Sequence, residues 1–300
     1  MTLTVVILTR DEERHIARAI TSVAPLAPRV VVVDSGSTDR TVDLARDLGA
    51  TALSHPWKNY ATQFNWALDQ LPPDTGWVLR LDADEVVSAE LATQIAELLP
   101  TLPPSVDGVT IGRRMSFLGR PIRHGGVFPI RVLRLFRHGR GRCENRWMDE
   151  HIIGPTVTRD LPGEILDDNL NSLTWWTQKH NAYASREVID LLNLEFRFLP
   201  HESVAGLRSG NQAGVKRWLK EVVYARMPRG FRALAYFLYR YVLRLGFLDG
   251  REGAAFHILQ GFWYRYLVDM KLVEVRQHMR KHGTDAVTSI RSVLGIDPYA

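Results

Sequence analysis

The chain has 300 residues, of which 45% are hydrophobic and 24% charged, and it carries 38 Lys and Arg against 33 Asp and Glu. That length accommodates one large domain, or a domain with an appendage, around a sizeable core. The single cysteine, Cys143, excludes an internal disulfide and is typical of a reducing compartment. Charge is unevenly distributed, because residues 201–300 hold 16 Lys and Arg against 8 Asp and Glu.

The first hundred residues alternate short apolar runs with amphipathic stretches. The apolar runs predict three buried strands, at residues 3–8, 29–33 and 77–81, and a further short strand at residues 50–54. Helical spacing predicts four helices, near residues 16–23, 42–48, 59–71 and 88–99. Asp11 or Thr9 is the expected N-cap of the first helix. This strand–helix alternation favours a parallel sheet with helices on its faces.

Acidic residues follow three of these four strands. Asp11 and Glu12 come after the first strand, Asp34 after the second, and Asp82 and Asp84 after the fourth. Parallel sheets bind ligands beyond the carboxyl ends of their strands, so these side chains are expected at one edge. A lone D-x-D more often marks a solvated turn than a binding site. Because the glycine-rich NAD motif and the P-loop are both absent, the pattern favours a nucleotide held by carboxylates, with a metal ion on its phosphates.

Three sequence blocks resemble those of inverting family 2 glycosyltransferases of the GT-A fold. They are VVILTRDEERHI, VVVVDSGSTDRT and LRLDADE, and the resemblance covers residues 3–152. It implies an α/β fold, with a Rossmann-like mixed sheet flanked by helices in a GT-A domain at residues 1–212. A basic, aromatic helical appendage at residues 213–300 is expected to follow.

The same resemblance assigns the donor site. Nucleoside contacts are expected from Thr9, Asp11, Glu12 and Asp34, ribose or sugar contacts from Asp82, and a donor-facing side chain from Lys58 or Gln63. Asp84 is the expected ligand of Mg²⁺ or Mn²⁺ on the donor diphosphate. The chemistry agrees, since a hard cation with oxygen ligands stabilises the charge that develops on a diphosphate leaving group.

Asp149 and Glu150 match the family's acidic pair that supplies the catalytic base. In an inverting displacement, the acceptor hydroxyl attacks from the face opposite the nucleotide, and a base takes its proton. Two adjacent carboxylates raise one another's pKa, which suits a base. Asp149 is the first choice and Glu150 the second. The order here is D-E followed by His151, whereas E-D is common in the family.

Nine arginines and no acid lie between Gly108 and Cys143. Because guanidinium groups bind phosphate through paired hydrogen bonds, the run predicts phosphate recognition; the alternative is a solvated basic loop. Nucleic acid is not expected as a partner, since no aromatic binding module accompanies the run.

Aromatic and basic residues interleave from residue 215 onward, which is typical of helices lying at lipid headgroups. The alternatives are a dimer interface, and hence a homo-oligomer, or an ordinary core. No basic signal-peptide region precedes the first strand, and the apolar stretch at residues 233–247 is too short to span a bilayer.

These observations predict an inverting, metal-dependent hexosyltransferase that uses a nucleotide sugar, most simply a UDP-sugar. The expected acceptor is lipid-linked or belongs to a lipopolysaccharide or exopolysaccharide. The expected location is the cytoplasmic face of the cell membrane, held peripherally. Two alternatives are transfer to a polyprenyl phosphate, and a catalytically silent membrane-surface adaptor that binds nucleotide.

Overall fold

A computed structural model of the chain describes residues 2–26, 29–144, 150–199 and 230–299. The chain divides into two compact units, Met1–Ser172 and Leu173–Ala300. The predicted boundary between residues 212 and 213 lies outside the described residues and stays a prediction. Within the described ranges, none of the helices is both long and apolar enough to cross a membrane.

The first unit is built around one large sheet. Its strands are β1 (Leu3–Thr9), β2 (Arg29–Asp34), β3 (Thr51–Ser54), β4 (Trp77–Asp82), β5 (Glu85–Val87), β6 (Gly108–Phe117), β7 (Arg120–Pro121), β8 (Ile130–Arg137), β9 (Arg142–Cys143), β10 (Ile152–Ile153) and β11 (Thr158–Asp167). Its helices are α1 (Ile16–Val23), α2 (Thr41–Asp47), α3 (Tyr60–Asp69) and α4 (Ala89–Leu98), the last followed by a 3₁₀ turn at Leu99–Thr101.

The sheet is mixed, in the order β3-β2-β1-β4-β8-β6-β11-β5, with β7 paired to β6. β1 runs parallel to both β2 and β4, and β3 is parallel to β2. β8 is antiparallel to β4 and β6, so the direction changes at the middle of the sheet. β9 and β10 pair separately as a short antiparallel ribbon. The predicted fold, a Rossmann-like mixed sheet flanked by helices, is confirmed.

The sheet buries side chains on both faces, because successive residues of a strand point in opposite directions. Val5 and Ile7 of β1 belong to one apolar core, which also contains Ile16 and Ile20 of α1. Val6 belongs to a second core, with Phe64 of α3 and Phe136 of β8. A strand buried on both faces explains why β1 reads as a continuous apolar run.

Two local predictions in this unit differ from the structure. α1 begins at Ile16 with His15 as its N-cap residue, so neither Asp11 nor Thr9 caps it. Asp11 instead adopts a left-handed backbone with φ 54° and turns the chain before the helix. The long strand β11 was not predicted, because its first residues are exposed and polar and Pro162 and Gly163 interrupt its pattern.

The described part of the second unit is helical. It contains α5 (Leu173–Phe196), α6 (Phe231–Leu238), α7 (Gly250–Phe256), α8 (Tyr264–His282) and α9 (Ala286–Leu294). Two π-helical segments, Tyr239–Leu243 and His257–Trp263, and a 3₁₀ turn at Gly246–Asp249 lie between α6 and α8.

Candidate active site

The ends of β1, β2 and β4 meet at one edge of the sheet. In the parallel register, Thr9 lies beside Asp34 and Leu8 beside Asp82. The turn after β4 carries Asp84 two residues beyond this edge. The sheet therefore brings together the acidic strand ends that the sequence singled out.

Asp34 is buried and satisfied by its own loop. Its Oδ1 accepts a hydrogen bond from Thr9 Oγ1 at 3.0 Å, and its Oδ2 accepts from the backbone N–H groups of Gly36 and Ser37 at 2.9 and 2.8 Å. The Ser37 hydroxyl donates to the carboxylate as well. Asp34 thus shapes the loop after β2 through four donors, and its predicted contact with uracil or ribose stays a prediction.

Asp11 and Glu12 fix the loop after β1 in place. Asp11 Oδ1 accepts from Thr38 N at 2.8 Å, which ties the loop after β1 to the loop after β2. Glu12 Oε2 lies 2.6 Å from Nδ1 of the fully buried His15. His15 Nε2 accepts a hydrogen bond from Leu170 N at 2.9 Å, so the ring proton is on Nδ1. Nδ1 therefore donates a hydrogen bond to the Glu12 carboxylate. His15 was not predicted, since a lone histidine at a helix start has no sequence signal.

A buried cluster of opposite charges lies directly behind Asp82. Arg134 of β8 is 4% exposed; its Nη2 is 3.0 Å from Asp82 Oδ2 and also donates to Glu85 Oε1. Glu85 is completely buried, and its Oε2 accepts from Asp82 N at 3.0 Å. Arg113 of β6 extends the cluster, with Nε 3.3 Å from Glu85 and an ion pair to Asp167 at the end of β11.

The cluster separates the pKa values of its two neighbouring carboxyls. Burial alone would raise the pKa of Asp82, but the charges of Arg134 and Arg80 hold it well below its usual range. Glu85 behaves in the opposite way, because burial and the charge of Asp82 outweigh Arg134 and raise its pKa to about 7. Asp82 is therefore ionised at neutral pH, whereas Glu85 becomes protonated as the pH falls below about 7.

Asp84 faces the segment that follows β11. Its Oδ2 accepts from Asn169 Nδ2 at 2.9 Å, and its backbone carbonyl accepts from Asp168 N at 3.1 Å. Arg18 of α1 holds the same segment, with Nη2 2.7 Å from the carbonyl oxygen of Asp168. Asp84 Oδ1 has no hydrogen-bond donor among the described residues.

The residues around Asp84 fit a Mg²⁺ or Mn²⁺ ion that takes most of its ligands from phosphate and water. Across the described ranges, no group of three or more His, Cys, Asp or Glu could hold a metal ion. The described residues therefore do not surround a metal ion with protein ligands alone. Mg²⁺ does not need this, because it binds through one or two carboxylates together with substrate phosphates. Asp84, half-buried and with one carboxylate oxygen open, meets that requirement.

Comparison with known proteins identifies the domain that contains this site. The family described as "Glycosyl transferase family 2" matches residues 4–152. Residues 4–152 belong to that family.

Relatives of the family 2 domain include an uncharacterized glycosyltransferase of Rickettsia typhi, 46% identical over 89 residues that make up 30% of each chain. The lipopolysaccharide core biosynthesis glycosyltransferase LpsC of Rhizobium meliloti is 35% identical over 150 residues, covering 47% of this chain and 53% of LpsC. The chain thus spans about a third to a half of the length of these relatives.

Among solved structures, glucosyl-3-phosphoglycerate synthase from Mycobacterium tuberculosis, in complex with Mn²⁺, UDP and glucosyl-3-phosphoglycerate, is 25% identical. The similarity covers 38% of this chain and 44% of that chain, with a TM-score of 0.32.

The helix α3 contributes one side chain to the site that the sequence did not single out. Tyr60 of α3 donates from its hydroxyl to Asp82 Oδ1 at 2.7 Å and lies under the guanidinium of Arg80, 4.2 Å from the ring centre. Gln63 is fully buried, with Nε2 3.0 Å from Ser35 Oγ. Lys58 lies exposed before α3, and its predicted donor contact stays a prediction.

Of the two candidates for the catalytic base, one lies outside the described residues and the other directly follows that stretch. Asp149 falls in that stretch, while Glu150 is half-buried and its backbone carbonyl accepts from Arg80 Nη1 at 3.3 Å. The same arginine stacks on Tyr60, so Arg80 links the end of β4 to the acidic pair. Cys143 is buried and burial raises its pKa to about 12, which agrees with an unreactive thiol.

The prediction that the arginine run recognises phosphate stays a prediction. Six of the nine arginines have partners that can be named within the first unit. Five of these six arginines pair with carboxylates that lie outside the run in the sequence. Arg113 pairs with Glu85 and Asp167, Arg114 with Glu164, Arg131 with Asp160, Arg134 with Asp82 and Glu85, and Arg142 with Asp69. Arg137 donates to the carbonyl oxygens of Val106 and Pro103 and lies over the ring of Trp77.

Proposed function

We propose that the chain is an inverting, divalent-metal-dependent glycosyltransferase that uses a nucleotide sugar, most simply a UDP-sugar. The acceptor is lipid-linked, of the lipopolysaccharide or exopolysaccharide kind, and is reached from the cytoplasmic face of the membrane. The observation that carries the proposal is the meeting of Thr9, Asp34 and Asp82 at one sheet edge of a family 2 domain, with Asp84 two residues beyond.

The proposed donor site consists of two loops that contact the nucleoside and a charged residue at the end of β4. The loops after β1 and β2, tied together by Asp11 and Thr38, form the wall against which the nucleoside lies. Asp82, fixed by Tyr60 and Arg134, presents a permanent negative charge toward the ribose or the sugar. Preorganised charges of this kind stabilise a transition state because they need no rearrangement when the bond breaks.

Asp84 is the residue that would hold the divalent cation. A bound Mg²⁺ or Mn²⁺ would act there as a Lewis acid on the departing diphosphate. Asn169 orients the carboxylate through its side-chain amide. Asp149 or Glu150 would take the proton from the acceptor hydroxyl as it attacks the anomeric carbon.

Nucleotide binding and sugar transfer test the proposal together. Calorimetric titration with UDP should show binding that strengthens when Mn²⁺ is present, and a labelled UDP-sugar should transfer its sugar to a lipid extract. Asp84→Asn should lower the transfer rate by about a hundred-fold or more, because the cation's stabilisation of the leaving group amounts to several kcal/mol. The matched control is Asp47→Asn, an exposed aspartate at the end of α2.

Two outcomes would contradict the proposal. Full transfer activity in Asp84→Asn would remove the metal role from that residue. Metal-dependent UDP binding with no transfer from any nucleotide sugar would instead favour the silent adaptor.

A further inference from the structure

Nine large apolar side chains are exposed within an eighteen-residue stretch of the second unit. Their exposed fractions range from 42% for Leu234 to 73% for Leu243. We call them the exposed apolar surface; its members are Phe231, Leu234, Leu238, Tyr239, Val242, Leu243, Leu245, Phe247 and Leu248. Monomeric soluble proteins rarely expose a contiguous apolar patch beyond a few hundred Å², and larger ones mark interaction sites.

The same stretch turns its charged residues inward. Arg232 is 5% exposed and its Nε lies 2.7 Å from Oδ1 of Asp269, a residue of α8 that is 1% exposed. Arg240 is 3% exposed and donates from Nη1 to Gln260 Oε1 at 3.1 Å. Both arginines of this part of the stretch are therefore buried.

The exposed side of α6 is apolar. Phe231, Leu234 and Leu238 recur at intervals of three and four residues, which places them on a common face of α6. Val242, in the π-helical segment that follows, is exposed as well. A helix in contact with water normally buries its apolar face and exposes its charges. Here the pattern is reversed, so the exposed side is suited to an apolar medium.

The charge that remains exposed indicates which medium this is. Residues 231–248 contain no Asp or Glu, and the exposed charged residues at the end of this stretch and just after it are Arg244 and Arg251. Two copies packed two-fold on this surface would place the same arginines on both sides of the interface, adding like charge without an acidic partner on the stretch. Anionic lipid headgroups complement those cations, and the hydrocarbon beneath them accepts the apolar side chains.

We propose that the exposed apolar surface enters one leaflet of an anionic bilayer, with Arg244 and Arg251 at the level of the headgroups. The unit would lie in the leaflet without crossing it, while its buried ion pairs keep their charges away from the hydrocarbon. The inference rests on the proposed function only in that a lipid-linked acceptor would be available at the same membrane.

Vesicle flotation of the full chain tests this surface. We expect binding to phosphatidylcholine vesicles that strengthens when phosphatidylglycerol is added. The double variant Leu238→Glu/Leu243→Glu should lose about ten-fold or more of its partitioning on both lipids, since two apolar contacts become charged. Arg244→Gln should lose about five-fold on anionic vesicles and nothing on neutral ones.

Matched variants separate docking from misfolding. Leu48→Glu changes a leucine of the first unit that is 44% exposed, and it should bind vesicles like the wild type. Leu243→Ser is a milder change at the most exposed position and should weaken binding while preserving the circular dichroism spectrum. Metal-dependent UDP binding should be the same in all of these variants.

The proposal is overturned if the double variant floats with vesicles as well as the wild type does. It is also overturned if light scattering shows a wild-type dimer that the double variant converts to monomer while neither binds vesicles, because the surface is then an interface between copies. The flotation assay does not depend on sugar transfer. Vesicle binding without transfer would contradict the proposed function alone. Transfer without vesicle binding would contradict this inference alone.

Discussion

The Nη2 atom of Arg134 lies 3.0 Å from Oδ2 of Asp82, although the two residues are 52 positions apart in the sequence. The guanidinium is 4% exposed and also serves the fully buried Glu85. One cation on the middle strand of the sheet thus pairs with one carboxylate oxygen of Asp82, while the Tyr60 hydroxyl donates to the other.

Removing Arg134 should therefore destabilise the fold. Arg134→Met leaves two carboxyls in a buried site without their main counter-charge, and breaking a buried pair in this way costs about 3–5 kcal/mol. Urea denaturation measures this loss. The double variant Arg134→Met/Glu85→Gln should recover part of the stability, because one of the stranded carboxyls is gone. If Arg134→Met alone is as stable as the wild type, the stability of the cluster does not depend on this arginine.

The free energy of unfolding of the domain should fall as the pH rises from about 4.5 to about 7, because of Glu85. Its pKa is raised from 4.5 to about 7 in the folded chain, so between these values the folded state holds a proton that the unfolded chain has released. The contribution of Glu85 to the free energy of unfolding is fully present below pH 4.5. It decreases as the pH rises from there and is lost above about pH 7. At about 1.4 kcal/mol for each pKa unit, the loss is of the order of 3 kcal/mol.

Glu85→Gln isolates this contribution. The variant should show a flatter dependence of the free energy of unfolding on pH between 5 and 8 than the wild type, measured by urea denaturation across the range. Asp82 acts in the opposite sense at lower pH: its pKa is depressed, so its contribution is present above the usual aspartate range and is lost on acidification. Identical pH profiles for Glu85→Gln and the wild type would contradict the assignment of the raised pKa.

The sequence predicted the parts of this architecture that depend on local pattern. β1 and β2 are buried on both faces and appear as uninterrupted apolar runs, and α1 shows its buried positions at helical spacing. The acids at strand ends could be placed together because parallel strands end at a common edge.

The partners of those acids could not be predicted in the same way. Arg134 reaches Asp82 only because β8 inserts antiparallel beside β4, and nothing in the spacing of the two segments specifies that pairing. Asn169 follows β11, a strand whose pattern is broken by a bulge between Leu161 and Glu164. Side chains that contact across a sheet depend on its strand order, and strand order is set by the packing of the whole domain.

Asn169 should tune the metal requirement without affecting the fold. Its side-chain amide donates to Asp84 at 2.9 Å, so Asn169→Ala frees the carboxylate to rotate. Loss of such an outer-shell contact typically weakens metal binding by about 10–100-fold. The Mn²⁺ concentration for half-maximal UDP binding should rise accordingly, while the urea midpoint stays close to that of the wild type. Asn171→Ala, two residues farther along the same segment, serves as the control, and an unchanged Mn²⁺ requirement in Asn169→Ala would separate Asn169 from the metal site.

The acidic pair should divide into one essential base and one dispensable neighbour. Asp149→Asn and Glu150→Gln remove the two candidates separately without changing their size, and the variant that loses the base should transfer sugar about 10²–10⁴-fold more slowly. UDP binding should persist in both variants, because the base acts on the acceptor and not on the nucleotide. Glu144→Gln offers a comparison on the same ribbon, since Glu144 is fully buried beside His151. If the slow variant also loses UDP binding, the residue belongs to the donor site; if neither variant is slow, the proton is taken by a group outside this pair.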